Sequence, residues 1–222
     1  MVLQQLADAP FWGSAKPERD VSIKGSWGAS AKAIATKDGS WMTKLRTPKA
    51  GGPYQVTVQS GDTTVVFRNV LIGEVWLCSG QSNMELPLEG MLPSIPIRNS
   101  AEEIRNARNS RMRFFLISRA VAVGPESNCT GEWRESDSAT ASKFSATAYF
   151  FGKMLYGRLK IPIGLIQSSW GGTRVQAWTA GRFLREVGKS RECWERRAEA
   201  SGGRLQENGV RSTGNRSKFT WS

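Results

Sequence analysis

Hydrophobic and polar positions alternate most clearly at Tyr54-Gln55-Val56-Thr57-Val58-Gln59, which puts Tyr54, Val56 and Val58 on one face of a strand. Ser60-Gly61-Asp62 interrupts the alternation before Thr63-Thr64-Val65-Val66-Phe67 resumes it, so the two runs predict a hairpin. A second hairpin turn is predicted at Lys37-Asp38-Gly39-Ser40, because Gly39 can take the positive φ that a tight turn needs. The first 71 residues therefore read as short strands joined by turns, the pattern of a small antiparallel β-sandwich-like domain.

Beyond residue 71 the pattern changes. Val75-Trp76-Leu77-Cys78 is a short apolar run ending in small residues, as expected of a buried parallel strand that feeds a loop. Ser100 followed by Glu103 has the spacing of a capping box and predicts a polar helix near 101–110. Met112 to Ile117 is a second buried-strand candidate. Phe144, Ala148, Phe151, Leu155 and Leu159 recur at helical spacing and predict an amphipathic helix over 145–159, closed by Pro162. Ile163-Gly164-Leu165-Ile166 reads as a third strand. Strand, helix and strand in this order imply an α/β unit with right-handed parallel crossovers over 72–180. Residues 181–222, rich in Arg, Gly, Ser and Glu, show no sustained period and read as an atypical basic tail.

Length and composition narrow the picture. With 222 residues, 39% hydrophobic content and nine Trp, the chain can bury a sizeable core and is unlike a disordered sequence. No apolar run is long enough to cross a bilayer, and the first residues lack the charged and apolar regions of a signal peptide. Cys78, Cys129 and Cys193 lie far apart without metal-type spacing, which favours unpaired thiols. The net charge is +12, but residues 181–222 carry 10 of the 31 Lys/Arg against 5 of the 19 acidic residues. The other dense basic stretch, Arg105, Arg108, Arg111 and Arg113, is expected to be a solvated face. With no nucleic-acid motif beside it, neither nucleic acid nor membrane is an expected partner.

Two loops carry candidate chemistry. Gly80-Gln81-Ser82-Asn83-Met84 follows the first buried strand, and ligands of parallel sheets bind outside the carboxyl ends of strands. Ser82 there is either a nucleophile or an ordinary turn residue. Ser168-Ser169-Trp170-Gly171-Gly172-Thr173 follows the third strand in the same way. Its paired glycines suit backbone N–H groups aimed at a developing oxyanion, or simply a tight turn. Trp170 and Trp178 flank this loop and serve either as sugar-stacking platforms or as core fillers. The chain contains no His, the usual base beside a nucleophilic serine.

Together these stretches resemble a known family. Gly73-Glu74-Val75-Trp76-Leu77-Cys78-Ser79-Gly80-Gln81-Ser82-Asn83-Met84-Glu85 is similar to the first block of the sialate O-acetylesterase-like carbohydrate esterases, a branch of the SGNH (GDSL-like) hydrolases. Gly171-Gly172-Thr173 with Ala177-Trp178-Thr179 resembles the second block, and Met1-Val2-Leu3-Gln4 resembles a motif near the start of the family's N-terminal β-domain. The resemblance covers residues 1 to about 180 and implies a partial SGNH-type, flavodoxin-like parallel sheet. It implies a carboxylesterase that removes O-acetyl groups from sialic acid or a related carbohydrate, without metal or cofactor. Ser82 would be the nucleophile and lend its N–H to the oxyanion hole; Gly172 would donate a second N–H, with Gly171 as the other choice. Gln81, Asn83, Trp170, Gly171 and Thr173 would contact substrate. The family's later Asp-x-x-His block has no match in this sequence, so the chain is expected to be a truncated member whose alternative is a catalytically inactive or carbohydrate-binding relative. Glu85, Glu89 and Asp137 are the carboxylates available near these motifs, and nothing in the sequence aims one at Ser82. The family's setting is secreted or periplasmic, which would require a leader ahead of Met1.

Overall fold

In a computed structural model the chain forms a mixed α/β fold with one large mixed sheet and few helices. The structure describes residues 1–91, 94–122, 126, 128–179 and 183, so Cys193 and nearly all of the basic tail lie outside the described residues.

The strands of the N-terminal region are β1 (Val2–Gln4), β2 (Asp8–Ser14), β3 (Asp20–Gly25), β4 (Ser30–Ile34), β5 (Ser40–Arg46) and β6 (Gly51–Ser60). β6 turns through Gly61-Asp62 into β7 (Thr63–Gly80), pairing Ser60 with Thr63 as the alternating pattern predicts. The turn expected at Lys37–Ser40 is also present, with Gly39 at φ +84°. It does not close a hairpin: β4 pairs with β3 while β5 pairs with β2, so the chain changes sheets at this turn. The β2–β5 ribbon lies over the larger sheet, and Leu45 of β5 shares a core with Ile23, Val56 and Val70.

β7 is the organising element. Its first part pairs antiparallel with β6, and Leu71–Gly73 takes β1 as a parallel partner. The remainder, Glu74–Gly80, pairs parallel with β10 (Ile163–Ser169). β8 (Asn109–Leu116) lies parallel on the far side of β10, and β9 (Trp133–Ser136) closes that edge antiparallel. One 18-residue strand thus runs unbroken from the β-rich region into the parallel part.

Four helices lie among the described residues: α1 (Ser82–Glu85), α2 (Ser100–Arg105), α3 (Ser138–Lys143) and α4 (Ala146–Leu159). α4 matches the periodic stretch closely, and the Ser145 hydroxyl caps it by accepting from Ala148 N. Its inner side is Ala148, Tyr149 and Gly152, whereas Leu159 at its end is exposed. A Cβ on Gly152 would meet Leu165 Cδ1 at 2.5 Å, which is how closely the helix approaches β10. The capping box expected at Ser100 and Glu103 does not form. Asn99 precedes the helix in a left-handed conformation, α2 ends at Arg105, and Glu103 reaches away to pair with Lys153. A reciprocal cap occurs instead at α3, where Asp137 accepts from Thr140 N at 2.7 Å and Thr140 Oγ1 accepts from Asp137 N at 3.0 Å.

Two further expectations change. Val75–Cys78 is not a uniformly buried strand: Trp76 is 43% and Leu77 65% exposed, while Cys78 is buried and its thiol pKa pushed up by that burial. Arg113 does not belong to a solvated face. Its guanidinium is buried, donating to Asn69 O at 2.9 Å and Asn69 Oδ1 at 2.8 Å and pairing with Glu135 at 3.1 Å. It thereby joins the middle of β7 to β8 and β9.

Candidate active site

The register of the parallel strands brings the two chemically suggestive loops together. Ser169, the last residue of β10, stands opposite Gly80, the last residue of β7. Trp170 N then donates to Gly80 O at 3.0 Å, so the chain leaves both strands at the same level. Gly80 has φ +152° and Gln81 turns the backbone into α1, a single helical turn that starts with Ser82. Gln81, Ser82 and Asn83 are exposed, whereas Met84 packs towards the core. The turn is pinned from below: Thr147 Oγ1 donates to Asn83 O at 2.9 Å, and Ala146 N donates to Leu86 O at 2.8 Å.

The glycine loop lies directly against this turn. A Cβ built on Gly171 would stand 3.5 Å from Ser82 Cα and 2.5 Å from Glu85 Oε2. Gly171 N donates to Glu85 Oε2 at 2.7 Å. Gly172 has φ +74° and open space where a Cβ would point, and its N–H has no acceptor among the described residues. Thr173 Oγ1 donates to Trp170 O at 2.7 Å and accepts from Trp178 Nε1 at 2.8 Å, which closes the loop on itself. Trp178 belongs to a short 3-10 helix, Val175–Trp178. Trp170 is half-buried and carries the Arg119 guanidinium 5.6 Å from its ring centroid.

All of Gln81, Ser82, Asn83, Trp170, Gly171, Gly172 and Thr173 therefore lie in two adjoining loops at the carboxyl ends of β7 and β10. The carboxylates have other duties. Glu89 pairs with Lys143 at 2.6 Å. Asp137 caps α3, and its hydrogen bonds from the Thr140 N–H and hydroxyl hold it below the usual carboxylate range. Glu85 holds Gly171 and forms an ion pair with Arg119. For Asp137 this engagement stabilises the charged carboxylate and makes it a weaker proton acceptor. The Glu85–Gly171 bond was beyond sequence reasoning because its partners are 86 residues apart. Arg119 likewise gave no signal, since nothing local marks its stacking on Trp170.

No family model matches the sequence. Sialate O-acetylesterase from Homo sapiens is 34% identical over a 207-residue alignment covering 85% of this chain, and that from Pongo abelii is 33% identical over the same share. The chain spans 38% of the length of these relatives. A crystal structure of a carbohydrate acetylesterase from Xanthomonas citri superposes with a TM-score of 0.76 at 33% identity, covering 84% of this chain and 42% of that one. The sequence likeness thus extends well beyond the two loops and is matched by a shared fold: the chain is a relative of the sialate O-acetylesterase-like carbohydrate esterases, aligned with a little over a third of their length.

Proposed function

We propose that this chain carries the nucleophile and oxyanion-binding part of a serine carboxylesterase acting on O-acetylated carbohydrates, sialic acid among them. The observation that carries the reading is the apposition of an exposed Ser82 with a glycine loop whose Gly172 N–H is free of acceptors among the described residues. Ser82 Oγ attacks the acetyl carbonyl carbon, and the carbonyl oxygen becomes an oxyanion facing the N–H groups of Ser82 and Gly172. The tetrahedral intermediate collapses with loss of the sugar alcohol, leaving acetyl-Ser82. Water then attacks the acyl-enzyme and releases acetate. Gln81, Asn83 and Thr173 line the approach, and Trp170 offers an aromatic face to the sugar. The names of the relatives support the substrate class.

The proton of Ser82 needs an acceptor, and these 222 residues include no His. With water or hydroxide in that role, oxyanion stabilisation and binding alone give about 10³–10⁴ over the uncatalysed rate. The same observation favours a second reading, a carbohydrate-binding relative without turnover. A fluorophosphonate probe followed by mass spectrometry separates the two. Modification at Ser82 that disappears in Ser82→Ala supports the nucleophile. A folded chain that stays unmodified while binding an O-acetylated sialic acid in calorimetry supports the second reading.

A further inference from the structure

Glu85 is the last residue of α1, and its side chain is only 15% exposed. Three segments meet on this one carboxylate. Oε2 accepts the Gly171 N–H at 2.7 Å. Oε1 faces the Arg119 guanidinium as an ion pair rather than as an aligned hydrogen bond. The same guanidinium lies 5.6 Å from the Trp170 ring centroid, beside the glycine that Glu85 holds. The carboxylate therefore links the nucleophile turn, the chain leaving β8 and the glycine loop.

The chemical consequence falls on the two adjacent amides. An N–H already donated to a carboxylate cannot also stabilise a developing oxyanion, and a buried carboxylate near that oxyanion would repel it unless neutralised. Arg119 supplies the neutralising charge. Gly171 is fixed in the Glu85 bond, and the left-handed turn at Gly172 leaves the next N–H without a partner. Extending the reading of Ser82 as nucleophile, we infer that Glu85 is a positioning residue of this site: it occupies the Gly171 amide, with Arg119 and Trp170 as its support, and so assigns the oxyanion contact to Gly172. Its spacing from Ser82 is that of one helical turn, which places it beneath the loop that the serine faces.

The test uses the full 222-residue chain labelled with ¹⁵N. The expected result is slow exchange of the Gly171 amide, fast exchange of Gly172, and a Gly171 resonance that follows a carboxylate titration. Glu85→Gln should abolish that titration while keeping exchange slow, because the side-chain amide oxygen still accepts. Glu85→Ala should speed Gly171 exchange at least about tenfold and slow fluorophosphonate labelling of Ser82 by about tenfold, in line with a misplaced oxyanion donor. Unprotected Gly171 in the unmutated chain overturns the inference, as does labelling at an unchanged rate in Glu85→Ala. Should Glu85→Ala fail to fold, the loss or persistence of the titration in Glu85→Gln decides. The amide readout needs no reaction at Ser82, so an unreactive chain sinks the nucleophile reading while leaving this one to be judged on the amides.

Discussion

At the scale of single residues, hydrogen bonds from hydroxyls and backbone N–H groups hold the carboxylates of Asp38 and Asp137 in their charged form. Asp38 is fully exposed, yet its pKa is lowered to about 2 by the Thr36 hydroxyl first and then by the Ser40 N–H and hydroxyl. A depressed carboxylate contributes stability above its unfolded pKa and loses it as pH falls through the folded value. The Asp38 contribution is therefore complete above about pH 4 and fades towards about pH 2. A ¹³C titration of the Asp38 carboxyl should give a midpoint well below 3.8, and in Asp38→Asn this part of the acid dependence of stability should vanish. Asp137 acts through a cap, so Asp137→Ala should cost about 1 kcal/mol in denaturant unfolding. Arg113 is more demanding: replacing it by Met leaves Asn69 O without its donor and Glu135 without its counter-ion. Glu135 is half-exposed, which tempers the loss to about 2 kcal/mol, measurable by the same unfolding experiment.

Among the elements, β7 and its neighbours set the site. Gly73 lies where β7 passes from β1 to β10, and a Cβ there would stand 2.0 Å from Pro162 O, a backbone atom that cannot swing aside. Gly73→Ala should therefore cost about 3 kcal/mol or more and lower the melting temperature sharply, whereas Gly61→Ala in an open turn should cost about 1 kcal/mol. These elements were legible to different degrees. The Tyr54–Gln59 alternation and the apolar spacing of α4 record local burial, and both elements form where that pattern puts them. The sheet change at Lys37–Ser40 left no such trace, because turn chemistry says where a chain reverses and not which strand it rejoins. Ser100 failed as a cap for a related reason: Glu103 finds Lys153 on α4, a partner 50 residues away. The two site loops were visible as motifs, but their contact through Glu85 depends on the register of β7 with β10.

For the whole molecule, the distribution of apolar surface matters most. Leu77 at 65% and Ile166, half-buried, stand opposite each other on one face of the parallel strands, while α4 packs on the other. Exposed apolar sheet surface of this kind invites self-association. Leu77→Lys should shift the chain towards monomer in sedimentation velocity with little change in melting temperature; unchanged association would locate the sticky surface elsewhere. The length of β7 has a further consequence, in time rather than in space. Its carboxyl end takes its only ladder partner among the described residues from β10, about 90 residues later in the chain. At about 5–20 residues per second, a ribosome needs some 4–18 s to supply that partner after Glu74 has been made. During that interval the segment leading to Ser82 has its amino end ready to pair with β6 and its other end unpaired. A nascent chain would present this strand to chaperones before its partner strand exists.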